Sequence, residues 1–460
     1  MTDTHAPIIV IGGGLSGLIS ASLIAKADLP VVLLEKSSTV GGRATTRVKH
    51  GFHFNLGPHA LYRHGHLRQM LKTLGVDVHG GVPTGNGGFA VAQGRIHTLP
   101  VGVTSLISTG LFGLSAKLEF ARFQSRLMDI DPRAIQHECL ASWLDANVND
   151  TRVRQVLEML VRVTTFTNDP QHQSAGAAIE QLQLSLRGSV LYLDGGWQTI
   201  VNGLRRAAIS AGARIVPGAP VIALERQSER TIGAVKLADG TTIRASAAIV
   251  CAGPADVDVL TAETAFAATL PPPVRVATLD VGLHSLPKPK RTVALGIDVP
   301  LYFSVHSAVA RLAPDGAATI HVSKYLRPGE TAGPDVEHEL DGLMDMMQPG
   351  WRDLLEIRQF LPGLTVTNTE TTASCGGIGG RPGSRLDLFD NVFVAGDWVG
   401  PRGQLSDGCA ASAADAAGAA MAIYQARPSR LRATEPAPSC DRTRRRAEDT
   451  TVADAVVTAR

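Results

Sequence analysis

The sequence predicts an α/β protein in which a lobe built on a parallel sheet is interleaved with a second, α+β lobe. Three observations predict it. A short apolar run near the start passes directly into a glycine-rich turn, IIVIGGGLSGLISA. A second apolar run, Pro30–Leu34, follows one helix length later, and buried-strand runs return at Ala247–Cys251 and Asn391–Ala395. The segments between them show helical and alternating spacing of their own, and 460 residues exceed what one compact core holds.

Ile8–Ile11 is short, continuous and β-branched, the pattern of a strand covered on both faces. Gly12 to Gly17 turns the chain into a helix from Leu15 to about Ala27, and Pro30–Leu34 completes a βαβ unit, which a right-handed crossover closes into a parallel sheet. Apolar residues at helical spacing predict helices over Ser115–Met128, Ile135–Asn147 and Val153–Val163. Leu99–Leu114 (LPVGVTSLISTGLFGL) is the most apolar long run and is too short to span a bilayer. It reads as a buried helix of the second lobe, or as a helix that touches a membrane surface.

Strand signals return at Ile215-Val216 and Val221–Glu225. A hairpin of Gly233–Leu237 and Thr242–Ala245 about Asp239-Gly240 leads to Ala247–Cys251 and a Gly253-Pro254 stop. Residues 270–326 read as further strands, TIHVSKYL the clearest, and an alanine-rich helix runs from about Asp407 to Gln425. The expected division is 1–85, 188–260 and 388–426 for the parallel-sheet lobe and 86–187 and 261–387 for the other. Beyond Arg427 periodicity ends, so 427–460 reads as a flexible tail.

Composition excludes several classes. Hydrophobic content of 44% with 19% charged residues describes a folded globular chain. Five scattered cysteines without a CxxC pair offer neither a disulfide framework nor a zinc site, and with no basic or apolar leader they suggest the cytoplasm. From 427 to 460 eight arginines face five acids, which accounts for the formal charge of +2 and leaves no basic face for nucleic acid.

Gly12, Gly14 and Gly17 form GxGxxG between a strand and a helix, a Rossmann-type dinucleotide turn. The first glycine permits the tight turn, the second lets backbone approach a pyrophosphate, and the third lets the helix pack on the sheet. The backbone at Leu15 and Ser16 then presents the positive end of the helix to the anion. Glu35, 21 residues after Gly14, ends the second strand where a carboxylate accepts ribose hydroxyls, with Lys36 beside it.

The segment after Glu35, KSSTVGGRATT, resembles the flavin-containing amine oxidase and phytoene desaturase superfamily, whose signature runs from the dinucleotide turn through an acid to a GGR turn. The matching positions are Gly12, Gly14, Gly17, Glu35, Gly41, Gly42 and Arg43. Asp28 departs from it, standing where a glycine is usual, and Asp tolerates the left-handed conformation better than most residues. Three more blocks match: LDGGWQTIVNGLRRAAISAGARIVPGAPVIAL, AAIVCAGP and NVFVAGDWVGPRGQLSDGCAASAADAAGAA. The resemblance implies FAD, and the spacing of Cys375 to Phe393 makes noncovalent attachment the expectation. The resemblance places the backbone of Val221 at the adenine, Ala252 and Gly253 beneath the cofactor, and Asp397 at the ribityl chain. Gly396, Gln404 and Leu405 are placed around the flavin, Trp398 either borders the ring or packs at the lobe interface, and the helix after them points its N-terminus at the ring.

The stretch GGRATTRVKHGFHFNLGPHALYRHGH holds His50, His53, His59, His64 and His66 without one acid, which argues against a metal site. HGFHFNLG alternates as a strand, with Phe52 and Phe54 on one face and His53 and Asn55 on the other. Gly57 and Pro58 end it where, by the resemblance, backbone passes against the flavin. His59 is thus the candidate catalytic residue, as hydrogen-bond donor or proton acceptor, with a structural turn residue as the other reading.

The resemblance implies removal of two electrons, a hydride passing to flavin N5. Gln404 falls where amine oxidases of the superfamily place a cage tyrosine, and Thr278 falls near a lysine many of them share. GGIGGRP (Gly376–Pro382) with FVAGDWVG looks like the phytoene-dehydrogenase-like branch, which acts on apolar, lipid- or isoprenoid-like substrates. The expectation is a dehydrogenase or desaturase of a small apolar substrate. The alternatives are an oxidase of an amine or nitrogen heterocycle and a non-catalytic FAD-binding protein; electron acceptor and oligomeric state stay open. Cys409 could be a helix-start thiolate or a packing residue, and Cys375 lies too close to Phe393 for a covalent flavin link.

Overall fold

A computed structural model describes residues 6–83, 88–262 and 266–426. The described residues up to Gln425 form one compact unit, and the tail expected over 427–460 lies outside the described residues.

Five strands make a wholly parallel sheet in the order Arg214–Pro217, Val31–Glu35, Ile8–Ile11, Ala247–Val250, Val392–Val394. Ile8, Ile9 and Val10 are fully buried because both faces are covered, which explains why the sequence shows a run instead of an alternation. Ile8 and Val10 pack under the helices Leu15–Lys26, Gln198–Ser210 and Leu405–Ala426. Ile9 and Ile11 pack against the antiparallel sheet of Val221–Arg226, Ile232–Leu237 and Thr242–Arg244. Asp28 takes φ +56° just past the first helix, so it adopts the left-handed turn in place of a glycine. Gly253-Pro254 stops a strand and also opens a helix, Pro254–Thr261, with proline at its first position.

The second sheet has seven strands in the order Leu355–Thr367, Val274–Leu283, Ala318–Tyr325, Leu301–Val305, Val293–Gly296, Phe89–Ala92, Arg95–Thr98. One face packs on the Pro334–Met347 helix. The other meets a helical group that includes Thr151–Thr165, capped by Asp150, and Ala175–Gly188, capped by Ser174.

Several expectations shift. The helix expected over Ile135–Asn147 covers only Leu140–Asn147, because Cys139 is drawn into a backbone bridge with Ser174. The thirteen-residue strand Leu355–Thr367 was not expected: it carries Pro362 and Gly363, which a central strand would reject and this edge position accepts. Leu99–Leu114 is not a buried helix. Its helical part is only Val103–Ser108, ended before Gly110, and it leaves Val103, Ile107 and Leu114 about seven-tenths exposed. Among the described residues no helix is long and apolar enough to cross a membrane.

Candidate active site

A cavity of ≈590 Å³ lies along the carboxyl edge of the parallel sheet. Gly12, Gly14, Leu15, Ser16, Glu35, Lys36, Gly42 and Arg43 line its dinucleotide end. Glu35 braces that end: Oε2 accepts the Gly13 N–H at 2.6 Å and Oε1 the Ser37 N–H at 2.8 Å. No side chain caps the Leu15–Lys26 helix and its first turn holds no acid, so its positive end is left for an anion. A Cβ built on Gly14 would meet no protein atom within 4 Å, and one on Gly42 would lie 3.6 Å from the Gly14 Cα. Gly14 thus borders open space while the Gly42 backbone lies against it, a cradle that side chains would fill.

At the other end Asp397 is buried. Its Oδ2 accepts from Arg43 Nη1 at 2.8 Å and from the Asn368 N–H at 3.0 Å, and Oδ1 accepts from Asn368 Nδ2 at 2.8 Å. Burial alone would raise this carboxyl, but Arg43 and Asn368 outweigh it and hold it below the usual carboxylate range. Val221, Ala252, Gly253, Gly396 and Leu405 also line the cavity, as do Pro58 and His59.

His59 meets two acceptors, with Nδ1 3.0 Å from the Gly57 carbonyl and Nε2 3.1 Å from that of Arg43. Only an imidazolium could donate to both, yet burial pushes the ring down to about 4. At neutral pH it is neutral, a single donor and a weak base.

Four expected cofactor contacts stand elsewhere. Trp398 is fully buried on the far face of the sheet, its Nε1 donating to the Ala252 carbonyl at 3.0 Å; an apolar cluster there claims the ring, so it does not border the cavity. Gln404 faces the Ala175–Gly188 helix, donating to the Ala177 carbonyl at 2.8 Å. Gly17 lies under the turn, where a Cβ would come 1.8 Å from the Gly12 carbonyl oxygen. Gly57 takes φ +80° facing Leu364 and Thr278, and only its neighbours reach the cavity. Cys409 lines the cavity, but burial pushes its thiol up to about 11, so it is no thiolate; Cys375 is exposed and outside.

Residues 15–286 match the family described as flavin-containing amine oxidoreductase, well over half of the chain. The chain belongs to this family. As a flavin-containing amine oxidoreductase it has FAD as its cofactor and is an oxidoreductase, and the cradle, the braced acid and the free helix end fit such a group. Its sequence is 28% identical to bovine (Bos taurus) protoporphyrinogen oxidase over 267 residues, 48% of this chain and 55% of that one. The chain thus spans about half the length of the curated relatives it matches. An oxidoreductase from Methanosarcina mazei has the same fold, with TM-score 0.70 at 19% identity over 91% of this chain and all of that one. So has putrescine oxidase bound to putrescine, with TM-score 0.70 at 15% identity over 91% of this chain and 99% of that one.

Sequence reasoning missed two parts of this flavoprotein's site. Arg381, in GGIGGRP, donates to four backbone carbonyls of the flavin block: Asp397 and Gly403 at 2.6 Å, Gly400 at 2.9 Å and Arg402 at 3.3 Å. Its signal was the GGR-P motif itself, which pointed to a branch but not to a clamp. The second is a further cavity of ≈310 Å³ that shares Pro58, His59, Ala60, Phe166 and Leu405 with the first.

Outside both cavity linings, Glu370 is buried with Oε1 lacking a partner, and burial, reinforced by Asp169, pushes it up to about 8. Its folded pKa exceeds the unfolded one, so stability is full below about pH 4 and falls as pH rises toward 8. Glu370→Gln removes that slope. The melting temperature of the variant relative to the parent is expected to climb steadily between pH 5 and 8.5, by an amount worth a few kcal/mol. A pH-independent difference in calorimetry would exclude it.

Proposed function

We propose that this flavoprotein removes two electrons from a small apolar, lipid- or isoprenoid-like molecule, as a dehydrogenase or desaturase. One observation carries the reading. Among the described residues lining the ≈310 Å³ cavity none is Asp, Glu, Lys or Arg, and its walls are mostly Leu, Val and Phe, such as Leu127, Leu157, Leu160 and Phe123. An ammonium or carboxylate group entering it would lose its hydration without compensation, a cost of several kcal/mol. The two positions tied to amine oxidation agree, since Gln404 is turned away and Thr278 is fully buried, bonded to Ser323 at 3.0 Å.

Bound FAD supplies the two-electron acceptor. The chain supplies the rest: Arg43 and Asn368 keep Asp397 ionised, the helix ends fix the dinucleotide, and the apolar walls exclude water from the substrate. His59 and Leu405 stand where the cavities join, and Leu405 holds φ +54°, a conformation a leucine adopts only under constraint. Anaerobic mixing with panels of isoprenoids and amines should bleach the flavin with the former. Bleaching by amines alone would overturn the reading.

The cavity's rim supports contact with a membrane surface as the source of substrate. Val101 and Leu186 line the cavity and are also exposed, beside the exposed Val103, Ile107, Leu114 and Leu118. The protein is expected to co-sediment with phospholipid vesicles, and Ile107→Glu with Leu114→Glu should abolish this while leaving the melting temperature unchanged. Equal sedimentation of parent and variant would refute it.

A further inference from the structure

The chain has five tyrosines, and Tyr62, Tyr192, Tyr302 and Tyr325, sequence-distant from one another, all line the ≈310 Å³ cavity. Three have their hydroxyls engaged. Tyr62 donates to the Thr164 carbonyl at 3.0 Å. Tyr192 lies 3.2 Å from the Tyr302 hydroxyl and 3.3 Å from Ser304 Oγ, and Tyr302 reaches His306 Nε2 at 3.2 Å. The fourth does not: Tyr325 is 3% exposed and its hydroxyl has no partner. A buried hydroxyl left unpaired costs roughly 1–3 kcal/mol, a cost that a bound molecule can remove.

The group is held rigidly from behind. The His306 ring stacks on Tyr192 with centroids 3.8 Å apart and meets the edge of His321 at 4.5 Å. His321 Nδ1 lies 2.6 Å from Asp280 Oδ1, and both side chains are fully buried. Burial raises all four phenols, so they remain protonated donors, and it lowers His306 well below its ordinary value, so the ring stays neutral. The phenols and His306, the members that line the cavity, offer hydrogen bonds and no charge.

We infer that Tyr325, with the Tyr192–Tyr302–His306 group beside it, binds one neutral oxygen function, a carbonyl or hydroxyl, on an otherwise apolar substrate. The inference rests on the apolar-substrate reading and narrows it: a pure hydrocarbon would leave the Tyr325 hydroxyl unpaired, and an amine would bring a charge that no residue of the cluster balances. The oxygen would anchor one end of the molecule and fix which carbon is brought to His59 at the junction of the cavities.

The test is calorimetric binding of farnesane, farnesol, farnesal and farnesylamine to the holoenzyme. Farnesol and farnesal are expected to bind about tenfold more tightly than farnesane, the worth of one hydrogen bond. Tyr325→Phe, which removes a single oxygen atom, should erase that advantage and leave farnesane binding as it was; the unchanged farnesane affinity also shows that the variant is folded. Equal binding of hydrocarbon and oxygenated ligands to the parent, or an advantage that survives in Tyr325→Phe, overturns the inference while the apolar reading stands. Tightest binding by farnesylamine, with flavin bleached only by amines, overturns both.

Discussion

Arg381→Met is expected to yield a protein that purifies without flavin and melts far below the parent. The guanidinium carries donors from Nε, Nη1 and Nη2 to the carbonyls of Asp397, Gly400, Arg402 and Gly403, the loop between the Val392–Val394 strand and the Leu405–Ala426 helix. That loop sets the Asp397 side chain and the helix end that face the cavity. Methionine matches the bulk and offers no donor, so carbonyls that turned inward toward the cation lose their partners together. Leaving several such groups unpaired costs on the order of 3–5 kcal/mol. Burial already lowers Arg381 to about 10, so the fold pays desolvation to keep this cation, and its hydrogen bonds are what it gains. Arg381→Lys keeps the charge but lacks the planar fork that spans four acceptors, and should fall between the two. Flavin absorbance per protein and the melting temperature check this; a yellow Arg381→Met protein with the parent's melting temperature would show that the loop holds itself.

The parallel sheet was legible because burial on both faces writes itself as uninterrupted Ile, Val and Ala runs, and because tight turns demand particular residues: Gly12 at φ +105°, Asp28 at +56°. Most of the dinucleotide end was legible for the same reason, since backbone approach needs missing side chains in a fixed order. The second lobe was legible only in part: the expected helices at Ser115–Met128 and Val153–Val163 and the strand in TIHVSKYL stand as Leu114–Arg126, Thr151–Thr165 and Ala318–Tyr325, but other elements were hidden. Its longest strand hides behind Pro362 and Gly363, tolerable only because it is an edge. The apolar stretch Leu99–Leu114 suggested a core helix, yet its glycines break it, and while Leu99, Leu106 and Phe112 are buried, Val103, Ile107 and Leu114 face outward. Trp398 and Gln404 sit in the right motif but point away from the cavity, because the strand and loop geometry, invisible in a motif, decides which face a side chain takes. The tyrosine cluster had no local signal at all. Its members come from a short strand at Leu61-Tyr62, the strand Val190–Leu193 and two strands of the large sheet, and only the tertiary fold brings them to one cavity.

Gly14→Val and Gly17→Ala should both lose the flavin, for opposite reasons, although the two glycines belong to one motif. Gly14 has φ −74° and ψ −171°, an extended conformation open to any L residue, and an added Cβ would touch no protein atom within 4 Å. The apoprotein of Gly14→Val is therefore expected to melt within about 1 kcal/mol of the parent's stability. Its branched side chain instead occupies the space left for the pyrophosphate, and flavin affinity is expected to fall by on the order of a hundredfold. Gly17 has no such freedom, because a Cβ there comes 1.8 Å from the Gly12 carbonyl oxygen, a backbone atom that cannot swing aside. Gly17→Ala must push the Leu15–Lys26 helix off the sheet, so flavin content and apoprotein stability should fall together, the latter by about 3 kcal/mol or more. Apoprotein calorimetry separates the cases. Full flavin occupancy in Gly14→Val would mean that the open space beside Gly14 is not where the phosphates lie.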